Sequence, residues 1–519
     1  MQTARAGRSS VVTLALSVAI AIIAACTSAP SQSADASHNP GAPADSYRYT
    51  APPTVRTYPS PNATIQAWIT ANNDVAIRAH GWDIWQSITT PTRFNQMPVW
   101  QTWFSGYEIF EDSDHTNLFA RSRRGVVQFG IRRNIAHPSM LPPGPERLRY
   151  IQAERVFAFN RFTWSTATFI GSKKLNKAQT LADTNAAFTR RGTPIASRAI
   201  LTSEDSTDRM SFVLKPVYQF ISGTEVTAVP YWSGDSSKAT TDSANPIAST
   251  WRQAVAVDPT GKLQPGTKVY LPVNNEGYQW CTVVPLSAFY WIRITKEDSA
   301  AFTQFGASNG DFIGLANDTS FQAVIGAVRP GNIGLLMAMH VTGKEIPNWT
   351  WQSYWWAINP QDPQYGNDRP ASIPAPWNHY NMTVAYYMLR NNGAPNVAYN
   401  PYLESSLSGC IPRQGGNGSA TGCGSKDSIF WTGVSTNCMA CHRRAAVGFY
   451  ADPKTAAPTK TFAIYGPDMQ VYANDTVVFT VPVPGLPKRI PLLKTDFLWS
   501  VAIRNGGNFT IPADEKKTP

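Results

Sequence analysis

The sequence predicts an α+β fold, a large β-rich body with a short helical segment near the C-terminus. Three observations carry this. Apolar residues recur at helical spacing early in the chain, and β-branched and aromatic runs between turn residues fill the middle. The 35 Gly and 40 Pro among 519 residues call for many turns and long connections. Charged residues make up only 15%, below the usual ~25%, while 17 Trp supply much aromatic surface to bury or to display around a ligand.

Taken in order, Ile65, Trp68 and Ile69 fit one helical face, with Asn62 or Thr64 as its cap. Asn72-Asn73 reads as a break, and a second helix is predicted from Asp74 to Trp85. Strands are predicted at Phe157–Ile170, Ser211–Ile221, Thr267–Val273, Tyr278–Val284, Phe289–Thr295, Ile333–Thr342, Thr476–Val483 and Thr495–Ile503. No repeat of fixed period stands out. The organisation expected is 1–25 export signal, 26–61 flexible tether, 62–400 β-rich α+β body and 401–519 a C-terminal region carrying the helical segment.

The leader rests on Arg5 and Arg8 ahead of the apolar run Val11–Ala25, which is too short for a membrane-spanning helix. It ends in Ile23-Ala24-Ala25-Cys26, which resembles the bacterial lipobox. By that resemblance Cys26 is the lipidated N-terminus. Thr27 in place of Asp after it favours the outer membrane over retention at the inner one. A plain secretory signal with an incidental cysteine is the competing reading. Residues 27–61, rich in Ser, Ala, Pro and Asn, then read as a tether from the lipid to the folded body. The formal charge of +11 falls to +9 without Arg5 and Arg8. Its basic residues are scattered, so nucleic acid is not an expected partner; acidic partners or anionic surfaces are mildly favoured.

Cys438-Met439-Ala440-Cys441-His442 carries the chemistry. Two residues between the cysteines let one helical turn present both thiols to the two vinyl groups of a haem. The adjacent histidine then reaches the iron from the same side. One covalent haem c is therefore expected, bound by Cys438, Cys441 and His442. A zinc site using Cys410 and Cys423, or a redox dithiol, would need the cysteines but not the histidine. In an oxidising compartment Cys410 and Cys423, in a Gly/Ser-rich stretch before the motif, are expected to form a disulfide. Cys281, in an apolar run, is most simply a buried free thiol, with pairing to Cys410 or Cys423 as the alternative.

The second axial position decides between a closed electron carrier and an iron open to small molecules. His340, in Met337-Ala338-Met339-His340, and Met469, 27 residues beyond His442, are the leading candidates; Met388, His379 and His80 are weaker. Arg443 and Arg444 are candidates for pairing with haem propionates, or belong to a solvated helix face. The segment from Trp349 to Trp356 is expected to pack in the core or to wall a haem or ligand site. Lys344 and Glu345 are expected to be an ordinary surface pair, with a functional site pair as the alternative.

Several stretches resemble large exported bacterial proteins of the cytochrome c family with a single CxxCH. They are Ala79-His80-Gly81-Trp82-Asp83-Ile84-Trp85, Pro98-Val99-Trp100-Gln101-Thr102-Trp103, the run Ala338 to Trp349, Asn400-Pro401-Tyr402-Leu403-Glu404, and Thr436 to His442. The resemblance implies export, one haem, and a haem motif that forms one large unit with the upstream region; it implies no substrate. The expected role is electron transfer with a redox partner protein or a small-molecule donor or acceptor, at the membrane through the lipid anchor, in the periplasm or outer membrane. A haem-dependent oxidase or peroxidase, and a haem-containing redox or ligand sensor, are the alternatives. No nucleotide-phosphate loop, zinc-protease helix or nucleophile elbow occurs in the sequence.

Overall fold

The computed structural model describes residues 38–39, 59–92, 97–110, 156–158, 160–200, 211–232, 253–273, 277–296, 298–299, 328–394, 396–404, 408–412, 428–432, 437–462, 480–481, 483, 485–504 and 509–511. They form an α+β fold, as the patterning predicts. Helix Asn62–Thr70 follows Pro61, and around its buried Ile65 lie Trp68 and Ile69. The chain reverses at Asn72, whose φ of 49° is a conformation asparagine tolerates. Asn73 then caps helix Asp74–Thr89, its side chain accepting the Ala76 N–H at 3.1 Å. This helix runs past the expected Trp85 because Ile88 is buried along with Ile77, Trp82, Ile84 and Trp85.

That buried face lies on a nine-stranded sheet. Strand Ile333–Gly343 is central. One of its edges pairs with Phe212–Ile221; the other pairs first with Trp291–Arg293 and then with Thr350–Trp356. Tyr380–Ala385 closes the far side of Thr350–Trp356. All four pairings are antiparallel, so partners in register share a face. Trp85 stacks on Tyr354 with centroids 4.2 Å apart, which fixes the helix to the face carrying Gln352, Tyr354 and Trp356.

The register lays two rows across the opposite face. Val213, Thr342, Trp351 and Ala385 form one; Lys215, His340, Ser353 and Thr383 form the next, a polar row in an otherwise apolar sheet. Ser353 and Thr383 are buried, and Lys215 and His340 are half-buried. The first row feeds a hydrophobic cluster with Ala398, Cys438, Met439 and Val447, so the core continues across position 400. His38–Asn39, within the expected tether, run parallel to Trp291–Ile292.

The strand predicted at Tyr278–Val284 is present with those bounds, and those at Ser211–Ile221, Ile333–Thr342, Thr267–Val273 and Phe289–Thr295 are present with trimmed or shifted ends. Two predictions need correction. Phe157–Ile170 is not one strand. Short strands Val156–Ala158 and Arg161–Phe162 give way to helix Trp164–Ser172, which Thr163 caps by accepting the Thr166 N–H. Thr495–Ile503 is not a strand either. Asp496 and Phe497 take φ of 49° and 65°, which end strand Leu493–Lys494, and helix Trp499–Arg504 follows. Of Thr476–Val483, Thr480–Val481 is a strand and 476–479 lie outside the described residues. Helix Ala178–Arg190 was not anticipated, although Ala178, Leu181, Ala182 and Ala186 carry its 3.6-residue period and are all buried.

A second sheet of four strands pairs Lys268–Pro272 with Tyr278–Val284. Alternation turns Tyr270, Tyr278 and Trp280 outward and Cys281 inward. Cys281 is a buried free thiol, as expected, and burial pushes its pKa up.

Asp368 ties the helix Asp74–Thr89 to the sheet. It accepts from Arg78 Nε at 2.5 Å, Arg78 Nη2 at 2.7 Å and Trp82 Nε1 at 3.0 Å. Partial burial alone would raise its pKa, but the Arg78 and Trp82 hydrogen bonds together hold it below the usual carboxylate value. A depressed folded pKa gives stability that is present above the unfolded value of about 4 and is lost as pH falls through the folded value. Asp368→Asn is therefore expected to lower stability at pH 7 by about 1 kcal/mol, a figure reduced for the exposure of the pair. The variant should also lose less than wild type on acidification to pH 3. Melting curves at both pH values check this; parallel losses in the two proteins would contradict it.

Candidate functional site

The motif occupies a single helical turn, Cys438–His442, between Asn437 and strand Ala446–Ala451. Asn437 starts it. Its Oδ1 accepts the Met439 N–H at 2.9 Å, and its Nδ2 donates to the Asn396 carbonyl at 2.7 Å and the Tyr387 carbonyl at 3.2 Å. The turn is thereby pinned to the chain leaving the Tyr380–Ala385 strand. The Cys438 N–H donates to the Ala398 carbonyl at 3.1 Å, and the buried Cys438 thiol points to the same oxygen at 3.3 Å. The side chain of Cys441 lies outside the described residues.

His442 is oriented by the backbone. Its Nδ1 lies 2.8 Å from the Phe497 carbonyl. A carbonyl oxygen only accepts, so Nδ1 carries the proton and the lone pair sits on Nε2. The Trp351 ring lies against the imidazole, with centroids 4.4 Å apart at 48°. Packing around the half-buried ring disfavours its charged form most. The Phe497 carbonyl works against that, and the positive fields of His340 and Lys215 add to it, leaving its pKa down at about 3. His442 is therefore neutral across the physiological range, as a metal-binding imidazole must be.

His340 and Lys215, which act on His442, sit side by side in the polar row, one place along the strands from Trp351. His340 Nδ1 is 3.0 Å from Ser353 Oγ. Met388 packs on the same hydrophobic cluster as Cys438 and Trp351. The other candidates are elsewhere. His80 lies on the opposite face, with Nδ1 2.6 Å from Tyr386 Oη and Nε2 3.1 Å from Glu345 Oε1. His379 precedes Tyr380, the partner of Trp356, at the end of the strand pair away from Trp351. Met469, Cys423 and Cys26 lie outside the described residues; Cys410 falls in strand Ser408–Pro412, opposite Phe430.

Two expectations about neighbours change. Lys344 and Glu345 are not a surface pair: both are buried and each has a different partner. Glu345 faces the helix side, toward His80, and Lys344 faces the motif side, where its Nζ is 2.9 Å from Asp496 Oδ1. Consecutive residues leaving a strand point to opposite faces, which separates them. Arg444 is buried, so the two arginines do not form a solvated face. The sequence reading missed Trp351 as an individual contact, although it alternates with Ser353 in a recognisable aromatic strand. It also missed the Phe497 carbonyl, for which a side-chain reading has no signal. Trp349–Trp356 is core: every residue of strand Thr350–Trp356 is buried.

No family model, curated protein or solved structure matches this sequence.

Proposed function

We propose that this protein is an exported c-type cytochrome with one covalent haem, acting in electron transfer. The observation that carries the proposal is the pairing of a one-turn Cys-x-x-Cys-His helix with a histidine whose Nδ1–H is bonded to a backbone carbonyl. That bond fixes the tautomer, so Nε2 is free to ligate iron, and it makes Nε2 a stronger donor. The donor set fits. The Cys438 thiol is buried in the turn, and His442 is neutral; the thiol contact to Ala398 is a weak bond given up when the sulfur is alkylated. Haem supplies a reversible one-electron couple when bound. The chain's part would be to orient His442, to exclude water with Trp351 and its apolar neighbours, and to offer a second side-chain donor to the iron.

His340 is the donor the arrangement favours, because it lies on the motif side of the sheet in the row beside Trp351, the ring that packs on His442. Ser353, at 3.0 Å from Nδ1, can hold the ring in one tautomer in the manner of an outer-shell partner. Electron exchange would then be with a protein or small-molecule partner, and the net positive charge favours acidic surfaces. By the lipobox resemblance Cys26 would tether the protein to the membrane, and Cys410 with Cys423 would close a disulfide ahead of the motif.

Carbon monoxide added to the reduced haem protein tests the closed-carrier reading. An unchanged spectrum is expected. Rapid formation of a carbonyl adduct would replace it with the oxidase or peroxidase reading. His340→Ala should open the iron and produce that adduct; a variant that stays inert to carbon monoxide would shift the ligand role to Met388 or Met469.

A further inference from the structure

Six described residues other than glycine have positive φ, and three of them belong to the support of the His442 ring: Phe497 at 65°, whose carbonyl meets Nδ1, its neighbour Asp496 at 49°, and Trp349 at 63°, which bonds to Asp496. Such backbone is strained, and gathers where the surroundings hold it for a purpose. Here a hydrogen bond joins Trp349 to Asp496, and Phe497 follows Asp496 in the chain. Asp496 Oδ2 accepts from Trp349 Nε1 at 3.0 Å, and Oδ1 accepts from Lys344 Nζ at 2.9 Å. Lys344 Nζ also donates to the Pro347 carbonyl at 2.8 Å and lies 5.3 Å from the Trp349 ring centroid. Both Asp496 oxygens are thus fixed by the hairpin that joins strands Ile333–Gly343 and Thr350–Trp356. On the other side, the Thr495 N–H donates to the Ala445 carbonyl at 2.8 Å and Thr495 Oγ1 donates to the Leu498 carbonyl at 3.0 Å. Between these anchors the Phe497 carbonyl is aimed at His442 Nδ1.

We propose that Asp496 is a positioning residue for His442: clamped by Lys344 and Trp349, it holds the Phe497 carbonyl on Nδ1 and thereby sets the ring orientation and the donor strength of Nε2. The inference rests on the haem reading and extends it to the control of the redox potential. An Nδ1–H that gives more of its hydrogen bond makes Nε2 more electron-rich, which favours the ferric state and lowers the potential. The brace joins the His442 turn to the central sheet through the hairpin that carries Trp351, so the ring's two contacts share one support. Trp351 Nε1 donates to the Asn348 carbonyl of that hairpin at 3.0 Å. A buried ion pair adds little net stability for the desolvation it costs, which leaves the fixing of geometry as its evident use.

The test is the midpoint potential of the full-length haem protein, measured by spectroelectrochemistry on Trp349→Phe and Asp496→Asn. Trp349→Phe removes one donor and keeps the bulk; Asp496→Asn keeps the shape and tolerates the positive φ. Both are expected to raise the potential at unchanged haem content. Asp368→Asn, which lies on the helix side of the sheet, is expected to lower stability without moving it. Potentials equal to wild type in both clamp variants would overturn the proposal, as would an equal shift in Asp368→Asn. Nitrogen NMR of the imidazoles in the Cys438→Ala/Cys441→Ala protein reads the same device without haem. The parent should show one His442 tautomer with its proton on Nδ1, and addition of Trp349→Phe or Asp496→Asn should mix the tautomers. An unchanged single tautomer overturns the clamp even if the haem reading stands; mixing supports it even if that reading fails.

Discussion

Cys438→Ala/Cys441→Ala is expected to leave the protein with no covalently attached haem. Thioether bonds survive denaturation, so wild type should retain its haem peroxidase stain on a denaturing gel, and the double variant should lose it entirely. Each cysteine can form one thioether with one vinyl group, so the single variants should keep a fraction of the stain. Haem extracted by acidified organic solvent gives the complementary reading, since only haem held without thioethers is extracted. A stain that persists undiminished in the double variant would remove the basis of the proposed function. His442→Ala is expected to retain the thioethers and change the spectrum, because it removes a ligand and not an attachment point.

The second large effect concerns stability and lies on the other face of the sheet. Glu345 is fully buried, and its carboxylate is a hub. Oε1 accepts the Ser60 N–H at 2.8 Å and lies 3.1 Å from His80 Nε2, while Oε2 accepts from Thr350 Oγ1 at 2.7 Å. His80 Nδ1 continues to Tyr386 Oη at 2.6 Å, which in turn accepts from Gln352 Nε2 at 2.8 Å. Glu345→Ala strips three buried groups of their partner at once. Breaking a buried pair by removing one member costs roughly 3–5 kcal/mol, and Glu345→Ala is expected to fall in that range by denaturant titration. Glu345→Gln keeps an acceptor for Ser60 or Thr350 and should cost clearly less. A loss below about 1 kcal/mol in the alanine variant would mean that the network relaxes without penalty. Since Ser60 stands at the end of the expected tether, the same variant should expose the chain near residue 60 to protease earlier than wild type.

Much of the architecture was legible because its signals are local. Ile333–Gly343 and Tyr278–Val284 could be read from short apolar or alternating runs, and Asp74–Thr89 from its periodicity and the Asn72-Asn73 break. The failures share a cause. Trp164–Ser172 looks like a strand by composition, and only the cap made by Thr163 starts a helix there. Asp496 and Phe497 look like strand residues by neighbourhood, but hydrogen bonds from Lys344 and Trp349, some 150 positions away, hold the backbone where no strand can continue. Local propensity is worth tenths of a kcal/mol per residue, so a tertiary contact worth one or more overrides it.

The sequence by itself carries the chemistry proposed for Cys438–His442, since the spacing of two thiols and an imidazole is a property of a few consecutive residues. It also determined that the middle of the chain would be β-rich. Only the tertiary structure decided which distant residues meet that motif. Register across the Phe212–Ile221, Ile333–Gly343 and Thr350–Trp356 strands puts Lys215, His340 and Ser353 in one row beside Trp351. The same period-two alternation sends Lys344 toward Asp496 and its neighbour Glu345 toward His80. A one-residue slip would exchange those faces, and nothing in a linear reading fixes the register between strands more than a hundred residues apart.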